Sequence, residues 1–509
     1  MSRYSLRAFA AFSILAALSA LAQPATDSIT KRHWFEARTA HFNTYSCGST
    51  QEVARLTARL EQFREAYSLL AGAQAVASPP IVVMAFPNHA AMEPFLPLYK
   101  DQPANLAAFF HRGSDENLIA LYLAGPSADS LEIIFHEYTH LLLRHNEQFW
   151  PIWLKEGMAE IYATFEVTGN QGVRIGKPIG HHLHLLKGEP LLPLKELFAV
   201  THESPNYNER EHQGIFYAES WLLTHYLMLG GNAAHKASFG QLTALLRQGQ
   251  SPEQAFTNAF RTTLPAMENQ LRHYLERGKF EPLGLALKAD LYAPRAFATR
   301  GLAPVETCFR LGDELLRIGR LDAAEAYFVQ GQKLAPASPL PYEGLGYLAA
   351  ERRRHEEARR YLQQALQRGS VSFLAHYAYA REKYQLTADG SDRYSPIASE
   401  TAAEIRAELQ KSLGLMPDFG PAHRLLGFFE MVQGDNLAAA EQHLQRAIQL
   451  EPENQSYRLS LAQAQLRRKD IEGARRTLEP LRLPYVEAQL RAHAEEMLKE
   501  INRQGERAK

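Results

Sequence analysis

Small residues recur at a fixed spacing in the C-terminal part of the chain, and this regularity limits the possible folds more than any other feature. Three series keep a spacing of 34 residues: Gly312, Gly346 and Ala380; Ala324 and Ala358; and Gly331 and Ala365. Small side chains are needed where two antiparallel helices cross closely, so such a register predicts a stack of helix pairs. We therefore expect an all-α solenoid in this part of the chain.

The series continues beyond an insertion of 13 residues around positions 386–400, because Gly427 and Ala462 are again 35 residues apart. Prolines stop the second helix of a pair, and they fall at the expected ends of repeats, at Pro336, Pro417 and Pro452. In period and composition this region resembles the tetratricopeptide family. The pattern predicts about five repeats over residues 305–485, followed by a capping helix and tail over 486–509. The resemblance implies a protein partner bound through the repeats.

Residues 1–22 have the composition of a secretory signal peptide. Arg3 and Arg7 precede an uncharged apolar stretch, which closes on the small-x-small triplet Ala20-Leu21-Ala22. The stretch is shorter than the ~20 residues needed to span a bilayer, so cleavage before Gln23 is favoured over a membrane anchor. The sequence thus predicts an exported protein, periplasmic or secreted, with no membrane span after cleavage.

Charge and cysteine content exclude other classes of protein. The chain carries 55 Lys and Arg against 56 Asp and Glu, and this balance argues against nucleic acid as a partner. Two cysteines exclude a disulfide scaffold and a Cys-rich zinc module. Export permits a disulfide between Cys47 and Cys308, but nothing in their spacing requires one, so bonded and free thiols both stay open.

Before the repeats, short β-type runs are mixed with helical segments. HFNTY at 41–45, IVVMAF at 81–86 and NLIALYLAG at 117–125 are predicted strands, and residues 51–71 and 131–146 have apolar positions at helical spacing. A strand-containing front followed by helices predicts an α+β domain. We place this domain at residues 33–285.

The segment IIFHEYTHLLLRHNEQFWPIWLKEGMAEIY, residues 133–162, carries the strongest chemical signal. On a helix, His136 and His140 are four residues apart and project from one face, so both imidazoles can reach one metal ion. Sixteen residues after His140, Glu156 lies in a second predicted helix and could supply a carboxylate as third ligand. Two imidazoles and one carboxylate leave the fourth position of a zinc ion open to water.

With HExxH followed by WLxEGxAE, this segment resembles the gluzincin metallopeptidases, specifically their peptidase MA-like domains. The resemblance implies a zincin-like catalytic domain that binds one Zn²⁺ per chain through His136, His140 and Glu156. It also implies that Glu137 is the general base that takes a proton from zinc-bound water. The expected reaction is hydrolysis of peptide bonds in a peptide or protein substrate.

Glu160 lies four residues after Glu156, on the same helical face. In thermolysin-like gluzincins an acidic residue at this offset orients a histidine ligand, so the resemblance implies that role for Glu160. A solvent-exposed helix carboxylate is the alternative, and it agrees with the sequence equally well.

Further candidate residues stay open. His181, His182 and His184 lack helical ligand spacing and acidic partners, so we expect a loop or a pocket wall rather than a second metal site.

Gluzincins place their substrate along an edge strand that precedes the zinc helix, so the resemblance nominates Leu118–Tyr122 for binding a peptide backbone. A donor to the tetrahedral oxyanion is usually a downstream Tyr or His in that group, and the candidates are Tyr217, His225 and Tyr226. Packing in the core is the favoured interpretation of each of these three side chains.

Two functions from different classes agree with these features. The first is an exported zinc-dependent metallopeptidase, in which the repeats bind a protein or shape access to the cleft. The alternative is a tetratricopeptide protein-binding scaffold whose zinc domain is catalytically idle. The intact Glu137 favours the first, since a purely structural zinc site needs no base.

Overall fold

A computed structural model describes residues 29–71, 79–113, 115–124, 127–143, 150–169, 172–201, 204, 210–231, 233–288, 297–388, 396–483 and 486–507. The predicted signal peptide lies outside the described residues, as does part of the insertion around 386–400. None of the helices in these ranges combines the length and the hydropathy that a membrane crossing requires.

The strands lie in the N-terminal part of the chain. In the described residues they are β1 (Phe35–Arg38), β2 (Phe42–Ser46), β3 (Ile81–Phe86), β4 (Leu98–Tyr99), β5 (Gln102–Pro103), β6 (Ala108–His111), β7 (Leu118–Tyr122), β8 (Glu166–Thr168), β9 (Gly172–Ile175), β10 (Leu283–Ala286) and β11 (Thr299–Gly301). Six of them form one sheet in the order β11-β1-β2-β3-β7-β6. A second sheet has the order β10-β9-β8, and β4 pairs with β5.

The three predicted strands form the parallel centre of the large sheet, since β2 pairs with β3 and β3 with β7 in parallel register. All six residues of β3 are buried, as expected for a strand that is covered on both faces. The prediction that Leu118–Tyr122 is an edge strand is wrong. The short strand β6 pairs antiparallel with it, Phe109 opposite Ala120, and takes the edge position instead.

Helices precede, follow and cover this sheet. Within the described part of the N-terminal region they are Thr50–Ala71, His89–Met92, Ser127–Leu143, Ile152–Ala163, Gly180–Gly188, Leu194–Ala199, Arg210–His225, Ala233–Arg247, Pro252–Phe260 and Leu264–Arg277. A single π-helical turn, Tyr226–Gly230, continues Arg210–His225. A 3₁₀ turn spans Glu93–Phe95.

The two faces of the sheet belong to two different cores, because successive residues of a strand point to opposite sides. Ile81, Val83 and Ala85 of β3 pack on one side with residues of helices Thr50–Ala71 and Ser127–Leu143. Phe63 and Phe135 of these two helices stack with ring centroids 4.5 Å apart. The face of the sheet that includes Ile81, Val83 and Ala85 therefore anchors the helix that carries His136 and His140.

The opposite face of the sheet is covered by the start of the C-terminal region. Val82, Met84 and Phe86 share a core with apolar residues of the helix Pro304–Arg317 and of its successor, among them Phe309, Leu315 and Phe328. The repeats are thus joined to the sheet by a common core and not by a linker alone.

Helix pairs make up the C-terminal region, as the 34-residue spacing predicts. In its described residues the pairs are Pro304–Arg317 with Leu321–Leu334, Leu340–Glu351 with His355–Gln367, Phe373–Ala388 with Ser399–Leu415, Gly420–Gln433 with Leu437–Leu450, and Ser456–Arg467 with Ile471–Leu478. A longer helix, Ala488–Arg507, follows them. The prediction of an all-α solenoid is confirmed.

Close helix crossings account for the recurring glycines. A Cβ atom on Gly312 would lie 2.6 Å from Cε1 of Phe328, and one on Gly346 would lie 2.6 Å from Cγ of Leu362. Gly427 repeats the arrangement, since its Cβ would lie 2.7 Å from Cγ of Leu444. The small residues thus occupy the positions where the two helices of a pair approach each other most closely.

Candidate metal centre

The helix Ser127–Leu143 brings the two histidines of HExxH to one place. His136 and His140 lie one turn apart on the same face, and their Nε2 atoms are 3.1 Å from each other. Both side chains are partly buried, with 17% and 28% of their surface exposed. The helix itself is fixed on the sheet by Phe135 and Tyr138, which are fully buried.

Glu156 approaches the two imidazoles from the next helix, Ile152–Ala163. Its Oε2 atom lies 3.4 Å from Nε2 of His136 and 3.2 Å from Nε2 of His140. The glycine that follows it has a packing reason, because a Cβ on Gly157 would lie 2.1 Å from Oγ1 of Thr224 and 2.3 Å from the Ser220 carbonyl oxygen. Only a residue without a side chain lets this helix approach the helix Arg210–His225 so closely.

The three donor atoms suit a zinc ion. His136, His140 and Glu156 each place one ligand atom within 4.8 Å of the others, and no other group of three such residues occurs in the described part of the chain. Two imidazole nitrogens with one carboxylate oxygen is a donor set that catalytic zinc sites use. The set predicted from the sequence is thus brought together.

The electrostatics of the cluster keep Glu156 ionised. Its side chain is only 6% exposed, and burial alone would raise its pKa. Hydrogen bonds from His136 and His140 outweigh burial and hold the pKa of Glu156 at about 2. Burial opposes protonation of His136 as well, yet the hydrogen bond to Glu156 and the charge of Glu160 raise the pKa of this imidazole.

Glu160 lies behind the cluster and contacts two imidazoles at once. Its Oε1 atom is 3.5 Å from Nδ1 of His136, and its Oε2 atom is 3.1 Å from Nε2 of His182. The side chain is 14% exposed, so Glu160 is not the solvent-exposed carboxylate that the sequence left open. Burial works against its charge, but the close contact with His182 and the proximity of His136 lower the pKa of Glu160.

The histidine run around position 182 was only partly predicted. The segment is a helix, Gly180–Gly188, and not a loop. His182 has an acidic partner in Glu160, which the sequence analysis missed because the two residues are distant along the chain. The pocket-wall expectation fits the lining residues: His181 and His182 border a cavity of about 480 Å³ together with His136, Glu160 and Tyr217.

Glu137 follows His136 directly and is partly buried on the same helix. Its predicted part in catalysis stays a prediction.

The three candidates for an oxyanion donor separate clearly. Tyr217 lines the cavity beside His136, and the two rings are 6.3 Å apart. His225 is fully buried and bonds through Nε2 to the Gly176 carbonyl oxygen and through Nδ1 to the Tyr274 hydroxyl. Tyr226 donates to Oε1 of Gln270. Packing therefore accounts for His225 and Tyr226, and only Tyr217 lies next to the metal cluster.

The two cysteines are both free thiols in the structure. Cys308 is fully buried on the first helix of the repeats, and Cys47 is half-buried beyond β2. Burial raises the pKa of each thiol, to about 11 for Cys308.

Comparison with known proteins bears on the repeats. Two tetratricopeptide repeat models match, one over residues 305–338 and one over 431–495. The C-terminal region thus contains tetratricopeptide repeats at residues 305–338 and 431–495. Neither match extends to the metal cluster. No curated protein matches the chain.

Solved structures similar to the chain include other repeat proteins. YrrB, described as a TPR protein with an unusual peptide-binding site, is 16% identical with a TM-score of 0.31, over 37% of this chain and 91% of that one. TTC0263, a thermophilic TPR protein of Thermus thermophilus, is 20% identical with a TM-score of 0.29, over 38% of this chain and 98% of that one. The APC/C hetero-tetramer Cut9-Hcn1 is 12% identical with a TM-score of 0.32, over 72% of this chain and 71% of that one.

Proposed function

We propose that this chain is an exported zinc-dependent metallopeptidase whose tetratricopeptide repeats bind a protein. The observation that carries the proposal is the convergence of His136, His140 and Glu156, which place three ligand atoms within 4.8 Å of one another. The proposed enzyme has a zincin-like catalytic domain at residues 33–285 and binds one Zn²⁺. Export to the periplasm or the medium rests on the predicted signal peptide.

Each residue near the cluster has a chemical task in this proposal. His136, His140 and Glu156 would hold the zinc ion, and Glu160 would orient His136 through Nδ1. When bound, zinc polarises the scissile carbonyl and lowers the pKa of water. Glu137 takes a proton from the attacking water as its oxygen bonds to the carbonyl carbon, and it delivers that proton to the leaving nitrogen as the C–N bond breaks.

Two further parts of the cleft follow from the fold. Tyr217 is the candidate donor to the oxyanion, because it is the one of the three predicted donors that lies beside His136. The substrate backbone would pair with β6, since this strand and not β7 is at the edge of the sheet.

The test compares the wild type with Glu137→Gln and His136→Ala. We expect Glu137→Gln to keep one zinc per chain and to lose peptide hydrolysis, because the ligands are intact and the base is removed. His136→Ala should lose both zinc and hydrolysis. Zinc is measured on the purified chain and hydrolysis on a mixed peptide library, with the exposed carboxylate variant Glu189→Gln as control. Full activity in both site variants would contradict the assignment.

A second candidate function is a tetratricopeptide protein-binding scaffold with a catalytically idle zinc domain. The comparisons with known proteins support this candidate better, since the matched models cover repeats alone. A cavity of about 610 Å³ offers a place for a bound segment, and it is lined by Arg112 and Glu116 near the β6–β7 turn and by Tyr377, Arg424 and Tyr457 of the repeats. Stoichiometric zinc without any hydrolysis by the wild type would favour the scaffold.

A further inference from the structure

The carboxylate of Glu160 is shared between two imidazoles that come from different helices. One oxygen faces Nδ1 of His136 at 3.5 Å, and the other faces Nε2 of His182 at 3.1 Å. His182 belongs to the helix Gly180–Gly188, which contributes nothing to the predicted ligand set. A carboxylate with one partner on each oxygen has little freedom to rotate. The contact of Oε2 with His182 therefore fixes the position of Oε1 beside His136.

We propose that His182 is a positioning residue for the metal centre, which holds Glu160 in the orientation that fixes His136. This inference rests on the proposed zinc site. An ionised carboxylate can accept from one ring nitrogen on each of its two oxygens, so a single Glu160 side chain can hold both imidazoles. Nδ1 of His136 thus faces Glu160, while its Nε2 faces His140 and Glu156 on the other side of the ring.

The surroundings of His182 hold its ring in place. Its side chain is 4% exposed, and its ring lies 6.2 Å from the fully buried ring of Trp221. The helix around it is anchored by Leu186, which is 3% exposed. An imidazole confined in this way keeps one orientation. A ring with a fixed orientation can in turn fix the orientation of the Glu160 carboxylate.

Loss of His182 has a specific expected effect on Glu160. An apolar residue in its place would leave Oε2 of Glu160 without its partner in a region that is only 14% exposed. The carboxylate would then rotate toward whatever donor remains, and its contact with Nδ1 of His136 would weaken. Partners of this kind, which do not touch the metal, change its affinity by about 10- to 100-fold when they are removed.

The test measures zinc affinity by competition with a chromophoric chelator, for the full chain without its signal peptide. We expect His182→Leu to weaken zinc binding by about 10- to 100-fold. His182→Gln keeps a donor on a side chain of similar reach and should recover much of the loss. His184→Leu makes the same substitution on the same helix at an exposed position, and it should bind zinc as the wild type does.

The outcomes separate this inference from the proposed function. Wild-type zinc affinity in both His182 variants, with zinc bound by the wild type, overturns the inference and leaves the metal site standing. A wild type that binds no zinc overturns the metal site and the inference with it. Circular dichroism of the zinc-free chains controls for folding. If His182→Leu does not fold, His182→Gln and Glu160→Gln are compared instead. Glu160→Gln should then bind zinc more weakly than His182→Gln.

Discussion

The histidines of this chain differ in their roles, and the role of each depends on the groups that its ring nitrogens contact. His136 and His140 face a buried carboxylate at 3.4 and 3.2 Å, so their nitrogens point to a common centre. His225 is fully buried, and its two nitrogens are bonded to the Gly176 carbonyl oxygen and the Tyr274 hydroxyl. An imidazole whose nitrogens both have protein partners has none left for a ligand, so His225 is a core residue.

The burial of His225 predicts a pH-dependent stability. Burial lowers the pKa of His225 to about 4, whereas an unfolded chain titrates histidine near 6.5. Between these values the unfolded state binds the extra proton, so the free energy of unfolding is highest above pH 6.5 and falls as the pH drops toward 4. The shift corresponds to roughly 3 kcal/mol.

The measurement is urea unfolding of the zinc-free wild type and of His225→Phe at several pH values between 7.5 and 4.5. The variant loses two hydrogen bonds and is less stable at neutral pH, but it lacks the titrating group. Its free energy of unfolding should therefore fall less steeply than that of the wild type. Parallel pH profiles for the two proteins would contradict this account of His225.

At the scale of elements, those with a clear sequence pattern were predictable, and the contacts between elements were not. The strand Ile81–Phe86 follows from a run of apolar residues, and the helix pairs follow from the 34-residue spacing. The edge of the sheet was not predicted, because the edge strand β6 is a run of only four residues that the sequence analysis did not identify as a strand. The contact between Glu160 and His182 was also missed, because the two residues belong to different helices and neither segment indicates which residue it contacts.

The same division applies to the candidate site. His136 and His140 lie at a spacing that a helix brings to one face, and the resemblance of WLxEGxAE to the gluzincins implies Glu156, so these three residues could be selected from sequence. Tyr217 could not be selected over His225 and Tyr226 from sequence, because all three belong to one aromatic segment. Their surroundings differ because helices later in the chain contact some of them and not others. Tyr274 of the helix Leu264–Arg277, for example, bonds to His225.

The crossing of two helices at Gly157 provides a prediction at this scale. An alanine there would place its Cβ 2.1 Å from Oγ1 of Thr224, so the helix that carries Glu156 must move away from its neighbour. Overpacking of this kind costs about 1–3 kcal/mol. We expect Gly157→Ala to lower the free energy of unfolding by that amount and to weaken zinc binding.

Gly240→Ala is the matched control, because Gly240 lies within the helix Ala233–Arg247 and a Cβ there meets nothing within 4 Å. This variant should be stabilised by about 0.5–1 kcal/mol, since alanine favours a helix over glycine. Both are measured by urea unfolding of the zinc-free chain. Equal stability of the two variants would mean that the crossing at Gly157 is looser than described.

At the scale of the whole molecule, the sheet is shared between the domain that carries the candidate metal centre and the repeats. One face packs on the helix of His136, and the other packs on the first repeat through residues such as Phe309 and Phe328. A sheet covered on both faces loses one of its cores if either neighbour leaves. The repeats are therefore part of the structure that supports the helix of His136 and His140, and we expect the two regions to unfold together.

A buried ionic cluster reinforces this junction. Arg317, at the end of the first repeat helix, bonds to Glu116 at 2.8 Å and to Asp115 at 3.2 Å near the β6–β7 turn, and to Asp313 at 3.1 Å within its own helix. Its side chain is 9% exposed. Removing the cation would leave three carboxylates near one another with little water, which is costly.

We expect Arg317→Met to lower the free energy of unfolding by about 3–5 kcal/mol, the usual cost of breaking a buried ion pair from one side. Arg352→Met is the control, because Arg352 bonds to Asp322 and Glu325, whose side chains are 100% and 45% exposed, and such pairs contribute about 0–1 kcal/mol. Thermal unfolding should show one transition in the wild type. If the cluster couples the two regions, Arg317→Met should separate that transition into two, with the β6–β7 turn cleaved first by a protease. A single transition at the wild-type temperature would show that the shared apolar core alone joins the repeats to the sheet.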